Sequence, residues 1–267
     1  MKRYRATEDG VEWIGDNCST FIPRDPTSHA WRQFLAWQSQ GHTPEAALPR
    51  PYPRSSGSVK SLWIVGAGGF GREVFSMAAS ARGAGVNWKV AGFLNDVPDA
   101  LRDFPGYPPI QGGTDYLPQD NDVFICAIGD AAGRQEVCAK LRARGARFIN
   151  LIQPTALIAG NATLGEGIIV EAFSGIGANS RIGDFTTILG HVSIAHDVSL
   201  GTGVQVSPFA CLLGRVEVGD GVLIGSHAVL LPGVKVGAGA TIGAGAVVLK
   251  NVGCGETVFG VPAVRLK

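Results

Sequence analysis

The strongest pattern in the chain is an aliphatic residue at every sixth position between residues 151 and 252. The series starts at Ile152 and reaches Val248 without an insertion, and the residue four places after most members is small or aliphatic. A period of six is neither that of a helix nor that of a single alternating strand. It is typical of a parallel β-helix in which each hexapeptide supplies one short strand and three hexapeptides close a coil. We therefore predict roughly five to six coils, stacked at about 4.8 Å, with glycine, Asn and Asp at the corners.

Residues 60–150 show a different pattern, in which short apolar runs alternate with helical periodicity. The predicted strands are SLWIV, WKVAGFLND, DVFICAIG and RFINLI. The predicted helices are GAGGFGREVFSMAAS, which opens with a glycine turn, and DAAGRQEVCAKLRARG. Because strands that alternate with helices form parallel sheets, we predict a small three-layered α/β domain that resembles a nucleotide-binding Rossmann fold.

The first part of the chain is polar and rich in tryptophan, and one stretch in it, DPTSHAWRQFLAWQSQG, reads as a short helix. Residues 26–28 suit its start and Gly41 its end. Trp31, Phe34 and Leu35 share one face at helical spacing. This aromatic face is too small to fold well alone, so the segment is expected to pack on a partner or on a trimer of the chain.

These patterns divide the chain into four segments. Residues rich in proline and serine (LPRPYPRSSGS) have no core-forming content and indicate a linker. The predicted organisation is an N-terminal extension and possible docking module at 1–47, a linker at 48–59, the α/β domain at 60–150, and the β-helix with a C-terminal tail at 151–267.

Composition excludes several classes of protein. The 267 residues carry a formal net charge of +1, which argues against nucleic acid as a partner. No apolar run approaches the roughly 18 residues of a membrane span, and the basic start is not followed by a secretory signal. The five cysteines are scattered and form no CxxC pair, so they indicate neither a metal site nor a disulfide framework. A reducing cytoplasm is the expected location.

The hexapeptide pattern resembles that of the left-handed β-helix acyltransferases, which work as trimers with active sites between neighbouring prisms. The handedness comes from this resemblance, because the ordinary crossover rule favours right-handed connections. The segments GAGGFGREV, FLND and AIGD, then the repeat and a terminal GVPAVRLK, narrow the resemblance to one group. These are the NeuD/PglD-like sugar O- and N-acyltransferases of bacteria, and the likeness covers residues 60–267.

This resemblance implies an acetyl-CoA-dependent acetyltransferase without a metal. Its substrate would be an amino-sugar nucleotide, N-acetylated, or a sialic-acid-type sugar, O-acetylated, in surface glycan biosynthesis. The enzyme would be a homotrimer. An acyl donor other than acetyl stays open, as does a structural alternative, a trimeric β-helix shaft of phage-tail type without catalysis.

Acetyl transfer from a thioester needs a base for the incoming amine or hydroxyl and a donor for the developing oxyanion. Histidine suits the base because it titrates near neutrality. The resemblance places the base at His196, with Asp197 orienting its ring. It places the oxyanion donor at the backbone N–H of Gly214, one coil further along the same edge.

Two other histidines of the repeat, His191 and His227, lie thirty-six residues apart. We expect them to stack on one face with Phe209 between them, where they line the cleft, form a trimer contact or are merely surface residues. Gln205 stands where a relative carries a second histidine, and Leu189 replaces a polar residue. These two departures leave the identity of the acceptor open.

Coenzyme A in the family lies along the later coils and under the C-terminal tail. The resemblance maps this site to Gly214, Pro232, Ala244, Lys250, Pro262 and Arg265. Lys250 and Arg265 would pair with phosphates through charge-assisted contacts. The plain alternative is that Ala244 is an ordinary corner residue and that both cations are solvated surface charges.

The glycine turn admits two ligands. Its glycines satisfy GxGxxG between a strand and a helix, and Asn95–Asp96 ends the next strand, so the motif leaves NAD open. The family instead uses this region for a sugar nucleotide whose pyrophosphate meets the loop amides. The predicted substrate-binding residues are Gly66, Gly68, Gly69, Phe70, Gly71, Asn95 and Asp96. Phe70 stands where a histidine is common, so the base or sugar is expected to differ from those of the best-known members.

The stretch DNCSTFIPRDPTSHAWRQFLAWQSQGHTPEAA, residues 16–47, falls outside the family resemblance. It looks like a short module of phage tail-fibre-related proteins, which would suit an enzyme that modifies a surface glycan. The alternative is a docking tail without further function.

Overall fold

The computed structural model describes residues 3–6, 10–14, 19–23, 26–27, 29–44, 59–80 and 88–266. The chain divides into two compact units, residues 1–53 and 54–267. Apart from Val59, the predicted linker lies outside the described residues, and so do Cys18 and Ser28. Each helix that the structure describes falls short of the length and apolar character that a bilayer crossing requires.

The first unit contains an antiparallel sheet that the sequence pattern did not predict. Its strands, in the order β1-β2-β3, are β1 (Arg3–Ala6), β2 (Gly10–Ile14) and β3 (Ser19–Pro23). The predicted helix follows as α1 (His29–Ser39). It ends where predicted, because Gly41 adopts φ +86° and donates its N–H to the carbonyl of Gln38 at 3.0 Å.

The apolar face of α1 is partly buried within the first unit. Phe34 is buried, whereas Leu35 is 45 % exposed. The reason lies in the sheet, since Tyr4 packs its ring 5.2 Å from that of Phe34 and 4.9 Å from that of Trp37. This contact selects the helix face that runs through Trp31, Phe34 and Trp37.

The second unit begins with the predicted α/β domain. Its elements are β4 (Lys60–Val65), α2 (Gly69–Ser80), β5 (Trp88–Leu94), β6 (Ile110–Gly112), β7 (Asp122–Cys126) and α3 (Ala131–Ala143). The four strands form a parallel sheet in the order β6-β5-β4-β7. Central strand β4 carries Leu62, Ile64 and Val65, each 0 % exposed, because both faces of the sheet are covered.

Two details of this domain depart from the prediction. Strand β6 follows a long turn and was missed, because its three residues carry no periodic signal. The segment RFINLI is not a fifth strand of the sheet. Phe148 makes a single bridge to Phe124, and Leu151–Ile152 already belongs to the β-helix.

The β-helix follows the predicted hexapeptide period throughout. Its two-residue strands are β8 (Leu151–Ile152), β9 (Leu157–Ile158), β10 (Thr163–Leu164), β11 (Ile169–Val170), β12 (Gly175–Ile176), β13 (Arg181–Ile182), β14 (Thr187–Ile188), β15 (Ser193–Ile194), β16 (Ser199–Leu200), β17 (Gln205–Val206), β18 (Cys211–Leu212), β19 (Glu217–Val218), β20 (Leu223–Ile224), β21 (Val229–Leu230), β22 (Lys235–Val236), β23 (Thr241–Ile242) and β24 (Val247–Val248).

From β8 to β21, each strand pairs in parallel with the strand eighteen residues further on, as Ser193 does with Cys211. Three flat sheets result, which we call face 1 (β8, β11, β14, β17, β20, β23), face 2 (β9, β12, β15, β18, β21, β24) and face 3 (β10, β13, β16, β19, β22). The second residue of each strand points inward, and the resulting core is continuous along the prism. A fully buried Val, Leu or Ile is worth about 1.5–3 kcal/mol relative to an exposed one.

The corners of the prism require a left-handed residue at regular intervals. Within the predicted corner triplets the third residue takes this conformation, as at Asn179 with φ +60° and Gly221 with φ +65°. Bulky residues occupy the same position elsewhere, among them Phe173, His191 and Phe209. Such residues are rare at positive φ, so packing between coils must offset the cost.

The tail extends the β-helix beyond the predicted end at residue 252. Strand β25 (Thr257–Phe259) joins face 1 beside β23, and β26 (Val264–Arg265) pairs with it antiparallel. Thr257 pairs with Thr241, so the spacing shortens here from eighteen residues to sixteen. This shortened coil closes the end of the prism.

One buried side chain joins the α/β domain to the β-helix. Arg134 on α3 is 1 % exposed and donates to the carbonyls of Phe185 at 3.0 Å and Gly203 at 2.8 Å, both on the β-helix. It also donates to the carbonyls of Ile128 at 2.7 Å and Gly129 at 3.2 Å. The guanidinium therefore fixes the position of the α/β domain on the β-helix.

Candidate active site

His196 and Asp197 lie on the corner between faces 2 and 3, which we call the second corner. The Nδ1 atom of His196 lies 2.7 Å from Oδ2 of Asp197, and both side chains are exposed. A carboxylate partner makes Nδ1 the protonated nitrogen and leaves the lone pair on Nε2. The hydrogen bond from His196, followed by one from Asn179, lowers the pKa of Asp197 below its ordinary value. The carboxylate is therefore ionised across the neutral range.

Two asparagines continue this pair along the corner. Asn179 donates its Nδ2 to Oδ1 of Asp197 at 3.1 Å, and Asn161 donates its Nδ2 to Oδ1 of Asn179 at 2.7 Å. The sequence analysis missed both. The signal was available, because positions 161, 179 and 197 are spaced by one coil of eighteen residues. This chain of amides fixes the carboxylate that in turn orients the imidazole.

Gly214 lies directly against the imidazole of His196, as the repeat predicted. A Cβ at position 214 would lie 2.7 Å from Cε1 and 2.8 Å from Nε2 of His196. Within the described chain, the N–H of Gly214 has no hydrogen-bond acceptor. An imidazole and a backbone N–H without an acceptor therefore lie on neighbouring coils of the same corner, an arrangement that suits attack on a carbonyl carbon.

The predicted coenzyme A residues fall on two different corners. Pro232 and Lys250 continue the line of His196 and Gly214 at steps of eighteen residues along the second corner. Ala244 lies on the corner between faces 1 and 2, which we call the first corner, next to Gly245 and its contact with Ser226. Face 2 separates the two sets within one protomer.

The tail holds the remaining two residues of that predicted set. Pro262 is exposed. Arg265 pairs its Nη1 with Oε1 of Glu256 at 3.0 Å. By contrast, Lys250 has no carboxylate within ion-pair distance in the part of the chain that the structure describes. Of the two predicted phosphate contacts, Lys250 is thus the one whose charge is available.

A groove of about 660 Å³ runs along face 3 beside the second corner. Its lining begins at Arg181 and continues past Asp197, Glu217 and Lys235 to Cys254. Lys235 and Glu217 pair across neighbouring coils at 3.0 Å. The sequence analysis did not predict this groove, since a flat face gives no periodic signal for a depression.

An aromatic stack occupies the first corner. Ring centroids are 4.8 Å apart between His191 and Phe209 and 4.8 Å apart between Phe209 and His227, so the predicted stacking is confirmed. Phe173 extends the stack at 5.1 Å from His191. Phe173 and Phe209 are exposed in the protomer, which leaves an aromatic edge uncovered.

The glycine turn of the α/β domain has two structural and two open glycines. Gly66 has φ +101°, and a Cβ there would meet the carbonyl oxygen of Ala127 at 3.0 Å. A Cβ at Gly71 would overlap the carbonyl of Gly66. Nothing lies within 4 Å of a Cβ at Gly68, and Gly69 is nearly as open. The crest of the turn is therefore accessible to a ligand.

The other predicted residues of this region have structural partners. Asn95 accepts through Oδ1 from the N–H of Ala67 at 3.2 Å and so braces the turn. Asp96 accepts from the N–H of Thr114 at 2.6 Å and from its hydroxyl at 3.0 Å, which occupies both carboxylate oxygens. Phe70 packs against the hydrophobic core of the α/β domain. With Asp96 engaged and four strands in the sheet among the residues that the structure describes, this domain suits a mononucleotide better than NAD.

The fold and the arrangement of residues at the second corner together define the class of protein, a hexapeptide-repeat β-helix acyltransferase. The family described as PglD N-terminal domain matches residues 61–141, and the one described as Bacterial transferase hexapeptide (six repeats) matches residues 215–250. A curated O-acyltransferase from Brucella anthropi, which acts with acyl-[acyl-carrier-protein] and UDP-N-acetylglucosamine, is 39 % identical over 61 residues. That match spans 23 % of this chain and 22 % of the relative.

Solved structures extend the likeness to about four fifths of the chain. The acetyltransferase domain of PglB from Neisseria gonorrhoeae, in complex with acetyl coenzyme A, is 29 % identical with a TM-score of 0.71, covering 78 % of this chain and 100 % of its own. PerB from Caulobacter crescentus, in complex with CoA and GDP-perosamine, is 31 % identical with a TM-score of 0.70, covering 80 % and 100 %. The chain belongs to the NeuD/PglD-like sugar acyltransferases, as the sequence predicted, and this sets aside the non-catalytic shaft.

Proposed function

We propose that the protein transfers an acetyl group from acetyl-CoA to the amino group of a nucleotide-linked sugar. The observation that carries the proposal is the His196–Asp197 pair, whose imidazole lies against Gly214 and its free N–H. The acetyl coenzyme A in PglB and the CoA and GDP-perosamine in PerB support these two substrate classes. A cytoplasmic location and a place in surface glycan biosynthesis belong to the same proposal.

The chemistry follows from the geometry of the second corner. The neutral amine of the sugar attacks the thioester carbonyl, a C–N bond forms and the C–S bond breaks. Nε2 of His196 accepts the proton of the amine and returns it to the departing thiolate, so the proton count balances. Asp197 stabilises the imidazolium, and the N–H of Gly214 donates to the oxyanion. The remaining corner residues, Pro232 and Lys250, would hold the pantetheine arm and a phosphate.

Thiol release from acetyl-CoA tests this function directly. The assay uses UDP-, GDP- and dTDP-linked amino sugars and free sialic acid as acceptors, each against a blank without acceptor. We expect release with a nucleotide-linked amino sugar and none with the same sugar already N-acetylated. Release with sialic acid alone would assign O-transfer instead, and release independent of any acceptor would contradict the proposal.

The outer surface of face 2 supports a homotrimer. The outward positions of its six strands are Leu157, Gly175, Ser193, Cys211, Val229 and Val247, so this face carries no charge. Face 3 instead presents Arg181, Glu217 and Lys235, and face 1 begins under the α/β domain. Face 2 and the aromatic first corner form one continuous apolar surface, as is typical of subunit interfaces.

The predicted coenzyme A residues lie on two different corners, and this distribution also supports a homotrimer. Within one protomer, the width of face 2 separates Ala244 on the first corner from Lys250 on the second corner. If face 2 packs on the next copy in a closed head-to-tail ring, the second corner of one copy comes beside the first corner of its neighbour. We propose that acetyl-CoA lies in that groove between subunits, which makes the site incomplete in a monomer.

Two serines six residues apart test this interface. Ser193→Glu places a carboxylate on face 2, where burial of an unpaired charge is costly, and should convert the trimer to monomers without activity. Ser199→Glu makes the identical change on face 3 and should leave a trimer of normal activity. Light scattering after gel filtration measures the mass. A trimeric Ser193→Glu variant, or a monomeric Ser199→Glu variant, would contradict the proposed interface.

Residues 60–150 and 151–267 are, in this proposal, the sugar-nucleotide and acyl-transfer parts of one enzyme. The first unit, with its small sheet and α1, takes no part in the chemistry. We propose it as a docking module, and its likeness to phage tail-fibre segments stays a prediction.

A further inference from the structure

An arginine beside the glycine turn is held by an aromatic ring. Arg72 closes the first turn of α2, where its N–H donates to the carbonyl of Gly68 at 3.1 Å. Its guanidinium carbon lies 3.6 Å from the centroid of the Phe104 ring. Phe104 comes from the segment 97–109 between β5 and β6 and is 40 % exposed. The contact with Arg72 gives this exposed apolar ring a structural role.

The stack leaves the hydrogen-bonding edge of Arg72 free. A guanidinium carries its five N–H donors in its plane, and a ring packed on its face engages none of them. Among the described residues, no carboxylate lies within ion-pair distance of Arg72. The neighbouring Arg102 differs, because it pairs with Asp99. Arg72 is therefore a pre-positioned cation with unused donors.

Those donors stand beside the open crest of the glycine turn. The Nη2 atom of Arg72 lies 4.0 Å from the position that a Cβ would take at Gly69. Gly68, the other open glycine, has nothing within 4 Å of its Cβ position. An anion on this crest would meet loop amides on one side and a planar fork of N–H groups on the other. Two linked phosphates match this arrangement in charge and geometry.

We propose that Arg72 binds the diphosphate of the nucleoside-diphosphate sugar and that Phe104 is the residue that positions it. The assignment rests on the proposed sugar-nucleotide function and adds a specificity-determining pair to it. Phe104 acts through Arg72 by restricting the rotamers of a long side chain, so less entropy is lost when phosphate binds. Lysine could supply the charge at position 72 but neither the flat stack nor the paired donors.

Binding of UDP, GDP and dTDP, and of the matching nucleosides, to the full chain tests the pair by calorimetry. Arg72→Met should weaken diphosphate binding by about ten- to a hundredfold, the usual cost of hydrogen bonds to a charged group. Phe104→Leu should weaken it by about two- to fivefold, the usual contribution of a cation–π contact. Arg72→Lys should fall between wild type and Arg72→Met. Nucleoside binding and the KM for acetyl-CoA should not change.

A double variant separates positioning from direct contact. Adding Phe104→Leu to Arg72→Met should cost nothing more, because the ring acts only through the guanidinium. Arg102→Met, on the same segment as Phe104, is the matched control and should bind as wild type does. Unchanged diphosphate binding by Arg72→Met overturns the assignment, as does an equal loss from Phe104→Leu in both backgrounds. A wild-type protein that binds none of the three diphosphates overturns the proposed substrate class as well.

Discussion

The His196→Ala variant should lose about 10²- to 10⁴-fold in kcat/KM, the usual contribution of a positioned general base. The loss should fall on kcat, because in the proposed mechanism the imidazole contacts the reacting atoms and not the remote parts of either substrate. Binding of acetyl-CoA and the melting temperature should stay close to wild type, since the His196 side chain is 59 % exposed. Steady-state kinetics with thiol detection measure the change.

Two further variants are to be compared with His196→Ala. Asp197→Asn keeps the size of the side chain but removes the charge that stabilises the imidazolium, so its loss should be smaller than that of His196→Ala. His29→Phe removes an exposed imidazole from α1, outside the proposed acyl-transfer site, and should keep full activity. If His196→Ala turns over as fast as wild type, then His196 is not the base.

Arg134→Met should cause a large loss of stability, about 3–5 kcal/mol, because it leaves several buried carbonyls without a donor at about 1–3 kcal/mol each. Methionine fills much of the same volume, but the carbonyls of Ile128, Phe185 and Gly203 lose a buried donor. Burial lowers the pKa of Arg134, yet it remains the cation of this network. Urea denaturation at one fixed protomer concentration measures the loss, because oligomer stability depends on concentration.

The matched control is an arginine at the end of the same helix. Arg144 is exposed and donates to one carbonyl, that of Thr114, at 2.7 Å. Arg144→Met should therefore change stability by no more than about 0.5 kcal/mol. Equal unfolding curves for the two variants would show that Arg134 does not hold the domains together. Arg134→Lys should be intermediate, since an ammonium cannot reach all the acceptors of a guanidinium.

The β-helix could be predicted almost residue by residue because its signal is local and repeated. Each coil buries the same position, so the inward series from Ile152 to Val248 could be assigned from spacing alone. The same spacing placed Gly214 against His196 and stacked His191 on Phe209. The sheet of the first unit could not be found in this way, because its three short strands show no repeat. For a related reason, spacing could not show which side of α1 is buried, because a distant ring, Tyr4, selects that face.

The site was predictable where it follows the coil and not where separate segments meet. Asn161 and Asn179 share the register of Asp197 and could have been found from that spacing. The contacts of Asp96 with Thr114 and of Arg72 with Phe104 depend on how the loops around β6 fold back over the sheet. Such contacts leave no periodic pattern in the sequence. Of these, the contact of Asp96 with Thr114 is the one that argues against NAD, because it occupies the acid that would bind the ribose.

The measurement that tests the central claim most directly follows the acetyl group itself. Acetyl-CoA carrying an isotopic label in its carbonyl is incubated with a nucleotide-linked amino sugar, and the product is analysed by NMR. We predict that the label appears as an amide on the sugar nitrogen with wild-type protein and is nearly absent with His196→Ala. A label that stays in the thioester, or that leaves as free acetate at the same rate with both proteins, would contradict acetyl transfer at this corner.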